Sequence, residues 1–284
     1  MAGGTLYLVA TPIGNLGDVT FRAIEVLRAV PLIAAEDTRI SRRLLARYEI
    51  GTRLTSYHAQ SGSGRETELL EHLRRGDDLA LVTDAGTPVV SDPGMELAAA
   101  WAAEGGRVEA VPGASSVLTA VAVSGVAGPR WAFEGFLPRS GRERRERLAR
   151  LAADERGAVI FEAANRLRAT LVDLAAACGA ERPAAVCREL TKLHEQVIRG
   201  PLGELVAAVA DGTIPARGEA VIVVGWQSEA SATPARDAAD QEARAVADVE
   251  ALVAGGMGRS DAARQVAATT GIPRRRLYRV EAGR

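Results

Sequence analysis

The chain has 284 residues, 47% hydrophobic and 25% charged, with 35 lysines and arginines against 36 aspartates and glutamates. A net charge of −1 gives no global attraction to nucleic acid, so any RNA site must be local, and no apolar run reaches the length of a bilayer span. Two cysteines, Cys178 and Cys187, cannot build a disulfide framework, and no basic leader precedes the first strand-like run, so the cytoplasm is expected. Lys192 is the sole lysine.

Up to Val111, short apolar runs alternate with amphipathic stretches. Strands are predicted at Thr5–Ala10, Leu32–Ala35, Arg53–Tyr57, Leu79–Thr83 and Val108–Val111. Helices are predicted at Thr20–Val30, Ser41–Tyr48, Arg65–Arg75 and Met95–Glu104. Phe21, Ile24 and Leu27 form the apolar stripe of the first helix, with Asp18 or Thr20 as its cap. The alternation predicts a largely parallel sheet covered by helices.

Beyond VPGASSVLTAVAVSG the spacing changes. Strands are expected at Ala132–Phe136, Ala158–Glu162, Ala184–Arg188, Glu195–Arg199 and Ala220–Trp226, and helices at Arg142–Ala153, Arg166–Ala177 and Leu202–Ala210. No helix fits between the strands around Arg188 and Glu195, which predicts an antiparallel pair and a mixed sheet. The domain reading is α/β: residues 1–113, a second α/β domain over 114–227, a small polar linker at 228–242, and a helical extension over 243–284. Three short helices are expected there, at Val246–Ala254, Arg259–Thr269 and Pro273–Val280.

Common catalytic signatures are missing. The one lysine is in the wrong context for a phosphate loop, and Thr67 replaces the third glycine after Gly62 and Gly64. Val117 stands where a nucleophile elbow needs glycine, and Cys187 with His194 lacks a second ligand pair, so no metal site is expected. What remains is three glycine-rich loops after strands: TPIGNLGD, DAGTPVVSDPG and VPGASS. The second is the most informative, since Gly86 would let a ligand approach the backbone and Pro88 stiffens the turn. Loops at the carboxyl ends of strands are where open α/β sheets bind small molecules.

LYLVATPIGNLGD, AEDTR, LVTDAGTPVVSDPG, VPGASS, FEGFLPR, FEAANR, CRELTKLHEQVIRG and GEAVIVVGW occur in this order between Thr5 and Trp226. This series resembles the ribosomal RNA-modifying branch of the tetrapyrrole methylase superfamily. TPIGNLGD with AEDTR and DAGTP separates that branch from porphyrin-modifying enzymes and diphthine synthases of the same fold. The resemblance implies a two-domain tetrapyrrole methylase-like (class III methyltransferase) fold with a small C-terminal helical extension and S-adenosyl-L-methionine in the cleft. It implies methyl transfer, without a metal, to the ribose 2′-oxygen of a cytidine in the decoding region of small-subunit rRNA. It also implies a homodimer, with naked rRNA or the assembled ribosomal subunit as partner.

By family position, the cofactor should meet Pro12, Asp84, Ala85, Gly86, Thr87, Val90, Ser115, Ser116, Phe161, Glu162 and the Gly218–Ala220 segment, including Ala220. Glu36, Asp37 and Lys192 are the leading catalytic candidates, with Asp84, Glu162 and Glu189 as further bases. Lys192 could act as a base if its pKa were depressed, or it could hold a phosphate. RNA contacts are expected from Arg39, Arg42, Arg43 and Arg47, from Arg139, Arg142, Arg144, Arg145, Arg147 and Arg150, and from Arg274, Arg275, Arg276 and Arg279. Two other readings fit the same residues: a methyltransferase acting on a tetrapyrrole or other small molecule, and a non-catalytic RNA-binding assembly factor that responds to S-adenosylmethionine.

Overall fold

The computed structural model describes residues 3–58, 60–89, 93–227 and 244–277. They fall into two compact units that divide between Trp226 and Gln227. In the larger unit, β1 (Thr5–Val9), β2 (Leu32–Ala35), β3 (Arg53–Ser56), β4 (Leu79–Val82) and β5 (Arg107–Val111) form one sheet. Its order is β3-β2-β4-β1-β5, and every neighbouring pair is parallel. The helices between them are α1 (Phe21–Ala29), α2 (Thr38–Arg47), α3 (Ser63–Arg74) and α4 (Met95–Ala103).

Alternation along the strands divides this core in two. Ile33, Ala35, Ala80 and Val82 pack with Leu27 and Leu45, while Ala34, Leu79 and Leu81 pack with Leu73, Leu97 and Trp101. Burial on both faces explains why β4 reads as an unbroken apolar run. Thr20 caps α1 by accepting from the Ala23 N–H at 3.1 Å.

The second sheet comprises β6 (Trp131–Phe136), β7 (Gly157–Ala163), β8 (Pro183–Arg188), β9 (Gln196–Pro201) and β10 (Glu219–Val224), ordered β6-β7-β10-β8-β9. Only β6 and β7 are parallel; the β8–β9 pair is antiparallel, as the short spacing predicts. Helices α6 (Gly141–Ala153), α7 (Leu167–Cys178) and α8 (Leu202–Ala210) cover one face. The opposite face takes α5 (Ser116–Ser124), with Val117 and Ala120 packed against Val159, Ala185, Cys187, Val221 and Val223. Ile13, from the loop after β1, enters the same cluster. This seam joins the two sheets and sets the cleft between them.

In the smaller unit, the helical residues 244–254 (α9), α10 (Arg259–Thr270) and α11 (Arg274–Leu277) bury Ala245, Val249, Ala262, Ala263, Val266 and Leu277 together. The expected linker, residues 228–242, lies outside the described residues. Among the described residues no helix is long and apolar enough to cross a membrane.

Val117 and Leu118 are adjacent on α5, but Val117 is 6% exposed in the seam and Leu118 is 59% exposed. Val117→Ala should cost about 1–3 kcal/mol in urea unfolding through lost packing. Leu118→Ala should stay within about 0.5 kcal/mol. Equal losses would show that the seam does not carry the stability assigned to it.

Candidate active site

The loops leaving the carboxyl ends of the first sheet are tied to one another. After β2, the Glu36 N–H donates to Val82 O at 3.3 Å. The Asp37 N–H donates to Asp84 Oδ1 at 3.0 Å, and the Asp84 N–H donates to Glu36 Oε2 at 3.3 Å. Thr11 and Gly86 exchange backbone hydrogen bonds at 2.8 and 3.0 Å, and the Thr11 hydroxyl donates to Thr83 O at 3.0 Å. The Thr87 hydroxyl reaches Ala114 O at 3.3 Å. AEDTR, DAGTP, the first Thr-Pro loop and VPGASS are therefore one cross-stitched frame.

Gly86 also holds this frame through its backbone conformation. Its φ is +86°, and a Cβ there would meet Ile13 Cγ2 at 3.4 Å, an ordinary contact. The left-handed backbone by itself favours glycine at this position. Ser115 likewise acts as a cap, its Oγ accepting from the Leu118 N–H at 3.4 Å.

A cavity of about 390 Å³ lies between the sheets. Ile13, Ala85 and Ser116 line it from one side, and Phe136, Phe161, Glu162, Ala163, Glu189, Gly218, Glu219 and Ala220 from the other. Phe161 is edge-on to Phe133 and Phe136, with centroids 4.9 and 5.5 Å away. Glu162 is 3% exposed. Its Oε2 accepts the Thr170 hydroxyl at 2.5 Å, and its Oε1 accepts the Ala163 N–H at 2.9 Å with Arg166 Nε 3.5 Å away. Three carboxylates, Glu162, Glu189 and Glu219, line an otherwise largely apolar wall, Glu162 beside Arg166 and the other two paired with Lys192. Such a wall suits a ligand with an apolar body and a few polar groups.

Of the expected cofactor residues, Ala85, Ser116, Phe161, Glu162 and Ala220 line this cavity. Pro12 and Asp84 line an adjoining one, Gly86, Thr87 and Ser115 hold the frame, and Val90 lies outside the described residues. Glu219 lies inside the expected Gly218–Ala220 segment, whereas sequence reasoning named no role for Phe136, although FEGFLPR carried the signal.

The adjoining cavity, about 330 Å³, shares Ile13, Ala85 and Glu219 with the first. Thr83, Asp84, Ser41, Arg43 and Lys192 contribute its polar groups. Lys192 Nζ lies 2.7 Å from Glu219 Oε2 and 3.1 Å from Glu189 Oε1. Burial works against its charge, but the hydrogen bonds to Glu219 and Glu189 outweigh that and raise its pKa. The depressed value a lysine base needs is absent. Close packing fixes the lysine stem as well, since a Cβ on Gly14 would fall 2.5 Å from Lys192 Cγ.

Burial also raises the pKa of Asp84, reinforced by repulsion from Asp37, and it raises that of Glu36, reinforced by Asp84 and Asp37. Asp37 behaves oppositely. It caps α2 by accepting from the Arg39 N–H at 2.8 Å and pairs with Arg39 Nη2 at 2.6 Å. The Arg39 hydrogen bonds pull its pKa down to about 2. Neither Glu36 nor Asp37 lines either cavity; Asp84 does.

The arginines separate into two kinds. Arg144 is 7% exposed and binds Thr170 Oγ1, Pro138 O and Asp173 Oδ2, and Arg147 holds Glu134. Arg144 is thus spent inside the fold, and Arg147 is half-buried in its ion pair. Arg39, Arg42, Arg43, Arg139 and Arg142 are exposed, with Arg142 paired to Glu146 along α6. In the small unit Arg274, Arg275 and Arg276 are exposed, Arg274 donates to Ser260, and Arg279 lies outside the described residues. Among the described residues no group of three His, Cys, Asp or Glu side chains is arranged to hold a metal ion.

Residues 5–206 match the model of the family Tetrapyrrole (Corrin/Porphyrin) Methylases. The chain is 46% identical over 277 residues to a Synechocystis protein named ribosomal RNA small subunit methyltransferase I, covering 98% of this chain and 97% of that one. Proteins of the same name from Xylella fastidiosa (43%, covering 97% and 98%) and Mycobacterium tuberculosis (42%, covering 98% and 94%) are similar throughout. Among solved structures, a cobalt precorrin-4 methyltransferase aligns with a TM-score of 0.61 at 22% identity, covering 78% of this chain and 95% of that one. A uroporphyrin-III C-methyltransferase from Thermus thermophilus, complexed with S-adenyl homocysteine, aligns with a TM-score of 0.55 at 21% identity, covering 78% and 97%. The chain belongs to the tetrapyrrole methylase family, among the proteins named ribosomal RNA small subunit methyltransferase I.

Proposed function

We propose that the chain methylates the ribose 2′-oxygen of a cytidine in the decoding region of small-subunit rRNA, using S-adenosylmethionine. The reading rests on one feature: a carboxylate-lined cavity that meets a second, cation-bearing cavity at Ile13, Ala85 and Glu219. The first suits the cofactor, with Phe136 and Phe161 available to its apolar surface and Ser116 as a hydroxyl partner. Bound S-adenosylmethionine supplies an electrophilic methyl carbon on a sulfonium leaving group. The full-length relatives named for rRNA support the acceptor class, and the family resemblance supports a cytoplasmic homodimer acting on rRNA or the assembled subunit.

The chain's own task is alignment and proton removal. Holding both reactants in line can lower the barrier by roughly 7–11 kcal/mol. As its oxygen bonds the methyl carbon, the ribose hydroxyl must lose its proton. Asp84 is the acid of the frame that lines the acceptor cavity, and its raised pKa makes it a better base than Asp37. Glu36 positions it by accepting from the Asp84 N–H. Lys192, kept cationic by Glu189 and Glu219, attracts the RNA backbone with Arg43.

Three measurements check this reading. Ala85 is exposed at the junction of the cavities, so Ala85→Phe should fill the junction without disturbing the core. Calorimetry should show S-adenosylmethionine affinity falling by more than about tenfold, roughly 1.4 kcal/mol. Unchanged affinity would remove this cavity as the cofactor site. In single-turnover methyl transfer at saturating rRNA and cofactor, Asp84→Asn should slow the step about 10²–10⁴-fold. Glu36→Gln should be milder, Asp37→Asn close to wild type, and Lys192→Met should mainly weaken RNA affinity. An Asp84→Asn enzyme at wild-type rate would rule out the assigned base. Truncation after Gln227 should keep cofactor binding but lower rRNA affinity and flatten its salt dependence; identical salt slopes would exclude the extension from RNA contact.

A further inference from the structure

The second cavity has properties that simple approach of a ribose does not require. Two hydroxyls in its wall, Ser41 Oγ and Thr83 Oγ1, are buried and have no hydrogen-bond partner among the described residues. Their residues are 6% and 1% exposed. Buried polar atoms normally find partners, so these two are built for a ligand that brings its own donors and acceptors. Beside them, Leu16 and Ile40 line the same cavity while remaining 36% and 43% exposed. A volume of about 330 Å³ falls in the range of single small-molecule sites, roughly 300–1,000 Å³. A base pair with its stacked neighbours does not fit such a space.

The segment carrying Lys192 adds a second, independent feature. Leu193, its neighbour, is 94% exposed. The turn presenting it is firmly held: the Lys192 N–H donates to Glu189 O at 3.0 Å, the Glu195 N–H to Lys192 O at 3.1 Å, and the Thr191 N–H to Glu195 Oε2 at 2.6 Å. Glu189 and Thr191 adopt φ of 50° and 64°, left-handed conformations that cost free energy for residues other than glycine. A strained, hydrogen-bonded turn thus keeps an apolar side chain in water next to the cavity that Lys192 lines. Leucine is among the residues that nucleic-acid-binding proteins insert between bases to unstack them.

Resting on the rRNA-methylation reading above, we infer that the acceptor nucleotide leaves its stack and enters the second cavity, while Leu193 occupies the gap it vacates. Ser41 and Thr83 hydrogen-bond the extruded nucleoside, Leu16 and Ile40 pack against its base, and Arg43 and Lys192 hold its flanking phosphates. The cavity then brings the 2′-oxygen to the shared edge at Ile13 and Ala85.

A decoding-region RNA hairpin with 2-aminopurine beside the acceptor cytidine tests this directly. Unstacking of the probe by wild-type protein should raise its fluorescence several-fold, and Leu193→Ala should lose most of that rise while binding S-adenosylmethionine as wild type does. In single-turnover assays Leu193→Ala should methylate assembled subunits about tenfold more slowly, with the defect relieved on an unstructured oligonucleotide and Leu193→Met near wild type. Equal slowing on both substrates, or a full fluorescence rise from Leu193→Ala, would overturn the inference. A change in sedimentation without any change in fluorescence would instead assign Leu193 to a protein contact. If wild-type protein unstacks the probe but methylates neither substrate, extrusion stands and the methyl-transfer reading fails.

Discussion

Burial of α5 and Ile13 against the inner face of the second sheet is the constraint on which the site depends. Val117, Ala120 and Ile13 contact strands β7, β8 and β10 through Val159, Ala185, Cys187, Val221 and Val223. Removing these side chains from water is worth roughly 25 cal/mol per Å² of apolar surface and has no direction of its own. Its direction comes from the loops, because α5 starts at the capped Ser115 immediately after β5. The same turn therefore ends the first sheet, starts the seam and supplies Ser116 to the cleft.

The electrostatics follow from that closure. Each sheet brings polar groups of a different kind to the cleft. Glu162, Glu189 and Glu219 come from the second sheet and its edges, while Asp84 sits in a frame fastened to Glu36 and Asp37. Burial raises the pKa of Glu36 and Asp84, whereas Asp37, turned to Arg39, stays strongly acidic. Three carboxylates close together in sequence and space thus acquire separate properties, since only two are sheltered from solvent and cation. Lys192 belongs to the opposing lobe, where pairing with Glu189 and Glu219 holds its ammonium in place and in its charged form.

Arginine density proves a poor guide to an RNA surface. Along α6, Arg144 reaches across to Thr170 and through it to Glu162 in the cavity wall, while Arg142 on the same helix lies in solvent beside Glu146. A helix places side chains on different faces at successive positions, so neighbouring arginines in the sequence have unrelated surroundings. The guanidinium's several donors let Arg144 bind a carbonyl, a hydroxyl and a carboxylate at once, which makes it an internal brace.

Strand and helix positions, the parallel first sheet, the antiparallel β8–β9 pair and the glycine-rich loops after the strands were legible in the sequence. Each depends on near neighbours: alternation at two residues, stripes at three and four, and turn chemistry within a few positions. The motif series also carried the family. Roles of individual charged groups were not legible. Arg144 meets Thr170 across 26 positions, Lys192 meets Glu219 across 27, and Asp84 meets Glu36 across 48. Gly86 was singled out in the sequence, and the structure adds its positive φ, a backbone conformation that favours glycine. Local pattern determined the elements and the loops; the tertiary structure alone decided which carboxylates are buried, which cations are neutralised and which hydroxyls face the cavity, because those properties belong to contacts between distant segments.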